Sequence, residues 1–134
     1  MGGSKGDYLE DALLDHVLGA TAYSAPASVD MALYTAAPSD SGGGTEVSGG
    51  SYARVAVTNN TTNFPAASSG SKSNGTAITF ASPSADWGVV VAFGIFEHGT
   101  SNLLYWADLA ASKTINNGDA APSFAIGDLT ITED

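Results

Sequence analysis

Two histidines, fourteen acids, four basic residues and no cysteine bound the chemistry open to this 134-residue chain. Nucleophilic catalysis needs a base beside a hydroxyl or thiol, and only His16 and His98 could serve. His16 follows Asp15 on a predicted helix, where exposure is the common outcome, and His98 lies in "FEHGTSN", which reads as a hairpin turn. No serine or threonine stands in a nucleophile-elbow sequence. A carboxylate pair acts through spatial separation, which sequence does not show. Asp86 and Glu97 bracket the longest predicted strand, but both have turn-like surroundings. No catalytic residue is expected, and the chain is not expected to be an enzyme.

The stretch "LYTAAPSDSGGGTEVSGGSYARVAV", Leu33 to Val57, raises a second possibility, with Gly42, Gly43, Gly44, Gly49 and Gly50 between two alternating apolar runs. A phosphate loop needs Lys and Ser/Thr directly after its last glycine, at a helix start. Here there is no lysine, and a strand follows. The dinucleotide spacing and its βαβ setting are missing too. For calcium, "SDSGGGTE" offers Asp40 and Glu46, and "NNGDAAPSFAIGD" offers Asp119 and Asp128, without the alternating ligand pattern of an EF-hand loop. Lone acids beside glycine are more often turn-formers that cap backbone amides. No metal and no cofactor are expected, and the glycines read as a long connection between strands.

Arg54 is the only arginine, and it alternates with Ala53, Val55 and Val57 in a predicted strand. Such an arginine can grip a carboxylate bidentately. Glu46 is the candidate partner, because the loop must return to this strand; the alternative is a solvated edge arginine. Trp87, Trp106, Tyr105, Phe93 and Phe96 read as core or interface aromatics, and an exposed cluster of them could stack on sugars.

These residues need elements to hold them. Residues 1–6 form a glycine-rich lead expected to be mobile. Residues 7–20 predict one amphipathic helix: Leu9, Leu13 and Val17 recur every four residues, with acids in the first turn and Gly19 at the end. That apolar face packs either on its own domain or on a neighbouring subunit. Residues 21–134 predict a β domain: "VDMALYT", "YARVAVT", "TAITF", "VVVAFGIFE", "NLLYWADL", "KTI", "PSFAI" and "LTIT" alternate with turn clusters. The fold class is mainly β, an antiparallel sandwich or jelly-roll-like domain with one N-terminal amphipathic helix. "NNTTNFPAASSGSKSNGT" is the most polar interval and is expected to be an exposed loop.

The length suits one domain. Hydrophobic residues make up 43% and charged residues 13%, with a net charge of -10. Such a surface repels phosphate backbones, so no nucleic-acid partner is expected. No stretch approaches roughly 18 apolar residues, so no membrane-spanning helix is expected. The N-terminus lacks signal-peptide features, which implies synthesis in a cytoplasm.

"DYLEDALLDHVLGATAYSAPASVDMALYTAAPSDSGGGTEVSGGSYARVAV", "ADWGVVVAFGIFEHGTSNLLYWADLAASKTINNGD" and "FAIGDLTITED" together resemble a family of small bacteriophage and prophage proteins, usually labelled tail fibre or virion structural proteins. The resemblance covers nearly the whole chain. It implies a place in the virion, with major capsid or tail proteins as partners, and it implies no catalytic residues. Short strands suit a compact knob better than a long fibre. A capsid-exterior decoration subunit is therefore expected first, and a tail-fibre-like or baseplate accessory second. A glycan-binding role toward the host surface is a further alternative. The apolar run Val89 to Phe96 needs cover on both faces. With exposed edges to blunt, it predicts a homo-oligomer, for which a trimer fits a local three-fold.

Overall fold

The computed structural model describes residues 4–133. In chain order the elements are β1 (Ser4–Lys5), α1 (Asp7–Val17), β2 (Ser28–Ala36), β3 (Thr45–Glu46), β4 (Val55–Thr58), β5 (Ser71–Ser73), β6 (Ile78–Thr79), β7 (Gly88–Glu97), β8 (Leu103–Ile115), β9 (Ser123–Phe124) and β10 (Thr130–Thr132). The protein is mainly β and antiparallel, with one helix near the N-terminus, as the spacing of strands and turns predicts.

A six-stranded sheet dominates, ordered β1-β8-β7-β2-β3, with β4 also on β2. One half of β2 pairs with β4, Ser28 to Met31 opposite Thr58 to Val55; its other end, Tyr34 and Ala36, meets Glu46 and Thr45 of β3. The segment between β3 and β4 thus leaves the ladder and rejoins it on the same edge. Arg54 falls in that gap, one residue before β4, rather than within a strand. Two two-stranded ribbons, β5-β10 and β6-β9, make the second layer.

Alternation along β2 and β7 sends Val29, Met31, Leu33, Phe93 and Ile95 to one face. Ile78, Phe80, Phe124 and Leu129 join them in the main core, with Leu9 from α1. Phe93 and Phe124 meet edge to face at 5.6 Å, so an aromatic contact ties the sheet to a ribbon. On the other face Ala32, Ala92 and Gly94 lie low, and Tyr34, Phe96 and Leu103 lie across them in a thinner second cluster.

Cover for the apolar strand is supplied within one chain: Val90 and Ala92 to Phe96 are buried, while Val89 is exposed. Two-sided burial of β7 therefore does not by itself require a neighbour. The runs "NLLYWADL" and "KTI" form a single 13-residue strand. The register slips between Val90 and Ala92, from a Lys113 partner to Asp108, so residues 109–112 are absorbed as a bulge. Ala110, Ala111 and Ser112 look like a break only because their side chains carry no strand signal.

Residues 1–3 of the expected lead lie outside the described residues. Ser4 and Lys5 are held as β1, opposite Trp106 and Tyr105, and the Gly6 N–H donates to Leu104 O at 2.9 Å. The helix begins at Asp7 and ends at Val17, with the Leu18 N–H donating back to Leu14 O. Gly19 lies just beyond it. The polar interval at 59–76 is not wholly an exposed loop, for it contains β5 and the deeply buried Asn74.

Candidate functional site

The glycine-rich connection is closed on itself by one carboxylate. Glu46 Oε1 accepts from Arg54 Nη2 at 2.8 Å and Oε2 from Arg54 Nε at 3.0 Å, a bidentate fork. Glu46 Oε2 also accepts from the Tyr52 hydroxyl at 2.7 Å. That hydroxyl in turn accepts the Leu33 N–H at 3.0 Å, a strand donor that would otherwise lack a partner at the split in β2. Arg54 Nη1 reaches Thr100 O at 3.2 Å, and its Cζ lies 3.8 Å from the centroid of the Phe96 ring. Burial would raise the Glu46 carboxyl; hydrogen bonds from Arg54 and Tyr52, with the Arg54 charge, outweigh it and hold the group below its usual range. Burial and the Glu46 partner push the Tyr52 phenol far up. The Arg54 donors are directed inward, at protein acceptors.

Two glycines in this connection are fixed by close approach. A Cβ on Gly44 would come within 2.7 Å of Ala36 O, and one on Gly50 within 2.9 Å of Trp87 Nε1, with both residues at positive φ. Trp87 Nε1 donates to Gly50 O at 2.8 Å. The connection is thus anchored at Gly44, Val47 and Gly50, while Gly42, Gly43 and Gly49 face open space.

His98 Nδ1 lies 2.7 Å from Asp30 Oδ1, and the Gly99 N–H donates to Asp30 Oδ2 at 3.1 Å. Burial would raise the Asp30 carboxyl; these hydrogen bonds and the nearby His98 and Arg54 charges lower it on balance. A base oriented by a buried acid is half of a nucleophilic site. Among the described residues no hydroxyl hydrogen-bonds to the His98 ring. His16 Nδ1 accepts the Tyr23 N–H. Asp86 and Asp119 accept backbone N–H groups of Asn117 and Asn116, the turn-forming role. Glu97 accepts from Asn102.

Asp40 accepts from Trp106 Nε1 at 2.8 Å. It also lies with Asp7 and Glu10, one carboxylate oxygen from each within 4.8 Å of the others. Asp7 and Glu10 stand at a helix N-terminus, where acids are favoured without any ion.

The helix divides the three residues predicted for its apolar face. Leu9 is buried and Leu13 packs against the core, while Val17 is 73% exposed. Leu14 and Leu18, at 58% and 78%, continue the exposed apolar stripe. Beside the packed face a cavity of about 430 Å³ opens between the helix, the chain after it and the β5-β10 ribbon. Leu9, Leu13, Tyr23, Leu104, Leu129 and Ile131 supply apolar wall, and Lys72 and Glu133 are charged groups in its lining. Glu133 accepts from the Tyr105 hydroxyl at 2.9 Å and pairs with Lys5 at 3.5 Å. Cavities of this size and lining receive apolar groups.

A family model described as Podophage GP4 fiber I protein gp80 matches residues 4–132. The chain belongs to the podophage GP4 fiber I protein gp80 family. The match runs from β1 to the last residue of β10, so the helix, the pinned connection and all of the cavity lining except Glu133 lie inside the region shared with the gp80 family. The resemblance to phage tail-fibre-type virion proteins is thus borne out, and membership of the gp80 family makes this a phage fibre or virion structural protein. No curated protein matches the chain. Among the described residues no helix is long and apolar enough to cross a membrane.

Some residues escape sequence reasoning altogether. Asn74, 2% exposed, donates from Nδ2 to Thr76 O and Ala125 O, and its Oδ1 accepts the Leu129 N–H, so one amide joins both ribbons. The only signal in the sequence is an asparagine before glycine, which reads equally as a turn.

Proposed function

We infer that the chain is an exterior structural subunit of a phage particle, placed on the capsid surface as a decoration protein and assembled with its own copies. The supporting observation is compactness. The longest strand, 13 residues, reaches about 40 Å at roughly 3.3 Å per residue, and its sheet is folded over by ribbons and helix within one chain. The described residues form a knob that attaches. The subunit's work on this reading is contact with other virion proteins, without a catalytic step, cofactor or metal. The net charge of -10 favours solubility before assembly and disfavours contact with packaged nucleic acid.

A second reading, a component of a tail fibre, is favoured by the word fiber in the family's description. Locating the chain in particle density separates the two. Density on the capsid lattice supports decoration; density confined to the tail supports the fibre reading. Absence from purified particles overturns both.

A further inference from the structure

The exposed apolar surface is concentrated on one element. Of the six large hydrophobic side chains that stand exposed among the described residues, Tyr8, Leu14, Val17 and Leu18 belong to the helix or its C-cap. Leu14, Val17 and Leu18, at i, i+3 and i+4, share one side of the helix and stand out from it as an exposed apolar knob at its C-terminal end. Next to the knob, across Leu13, lies the concave counterpart: the cavity of about 430 Å³ walled by aliphatic and aromatic groups.

Charge is divided the same way. The helix carries Asp7, Glu10, Asp11 and Asp15 and no lysine or arginine. The cavity wall carries Lys72, one of only four basic residues, and Glu133, which Lys5 and the Tyr105 hydroxyl already engage. Among the described residues Lys72 has no carboxylate within 4.0 Å, whereas Lys5 and Arg54 are paired. Asp11 and Asp15 flank the apolar stripe, one turn or less from Leu14 and Leu18, and so complement an apolar cavity whose Lys72 is unpaired among the described residues; both surfaces are on the same chain.

We propose that a second copy of this chain seats its helix end, Leu14, Val17 and Leu18, in the cavity beside Lys72. Knob and hole lie side by side, so one rotation can satisfy both copies at once, as an isologous contact does. Apolar burial supplies the attraction, and Lys72 facing Asp11 or Asp15 of the neighbour sets the register. The inference rests on the self-assembling subunit proposed above and names the surface it uses.

The cysteine-free chain permits a direct test. Leu18→Cys and Lys72→Cys are prepared separately, mixed at high protein concentration and exposed to a mild oxidant. Position 18 is 78% exposed, so the first variant should fold; circular dichroism checks both. A disulfide-linked 18–72 pair, abundant in the mixture and sparse in either variant alone, is the expected result. Leu18→Asp in the otherwise unaltered chain should weaken self-association measured by sedimentation by about tenfold or more. The proposal is overturned if the wild-type chain stays monomeric and the mixture gives no cross-link. An oligomer that forms without the 18–72 link also overturns it, because another face then makes the contact. So does a particle in which the Leu18→Cys variant links only to a different virion protein. Particle incorporation measured on the same preparations separates this failure from failure of the virion assignment.

Discussion

Arg54 grips Glu46 through two hydrogen bonds of 3.0 and 2.8 Å across eight residues of chain. The pair closes the long glycine-rich connection onto the sheet edge, with the guanidinium also stacked over Phe96 from the thin second face. Replacing Arg54 by Lys keeps the charge but loses the fork and the planar stack. Arg54→Lys should lower denaturant stability by about 1–3 kcal/mol, read as a shifted urea midpoint with an unchanged slope. An unchanged midpoint would mean that the loop is held by its glycines and Tyr52 alone.

Two carboxyls make the acid limb of stability specific. Asp30 and Glu46 are both held below their ordinary values in the folded chain. The unfolded chain then takes up their protons first. Their contribution is complete above the usual carboxylate range, around pH 4, and is lost as pH falls through the lower folded values. Melting temperature should drop steeply below about pH 4, and Glu46→Gln should flatten that limb. At the other end, burial and carboxylate partners raise Tyr52 and Tyr105. The unfolded chain ionises these phenols first, so stability should fall as pH rises past their ordinary value of about 10.

Asn74 joins the two ribbons by side-chain bonds to three backbone groups at 2.9, 3.0 and 3.0 Å. Asn74→Ala would strand those groups in a buried site, at about 1–3 kcal/mol for each one left unsatisfied. A thermal melt should show a large loss, and hydrogen exchange should speed first in β9 and β10. Exchange that rises uniformly over the whole sheet would argue that the ribbons have no separate dependence on Asn74.

The helix should split under mutation as it splits in burial. Leu9→Ala removes a buried side chain and should cost about 2–5 kcal/mol. Val17→Asp, at a 73% exposed position, should stay within about 0.5 kcal/mol when measured on dilute, monomeric chain. Deleting residues 1–19 should therefore destabilise the β domain, because Leu9, the Gly6 N–H and β1 all belong to it. Denaturation curves of the three variants check the contrast; equal effects from both point changes would contradict it.

Much of this architecture is legible in residue order. Period-two alternation in "VDMALYT" and "VVVAFGIFE" marks the two central strands, and Leu9 and Leu13 mark the packed side of the helix. Arg54 with Glu46 is readable because a sole arginine beside a returning loop has few carboxylates to choose from. Less is legible where tertiary contact overrides local pattern. Asn74 sits in a tract of polar residues that resembles solvent-facing loop, yet its single amide satisfies three ribbon backbone groups at once. Asp30 stands in an apolar strand, and nothing in the chain before Gly99 shows that a hairpin 69 residues away will meet it. The ribbons are two or three residues long, too short for periodicity to register.

Chelation is expected to change nothing. Asp40 already accepts from Trp106, and Asp7 and Glu10 complement the helix terminus. Melting temperature with and without a strong calcium chelator should agree. A clear drop on chelation would promote Asp7, Glu10 and Asp40 to ligands.

Cryo-electron microscopy of the assembled phage particle tests most directly whether this chain is a surface structural subunit of the virion. The expected map shows the six-stranded knob in symmetric copies on the particle exterior, with the helix end turned toward a neighbouring copy. Particles that contain no copies of the chain, or that hold it only as isolated single copies inside the shell, would contradict the assignment.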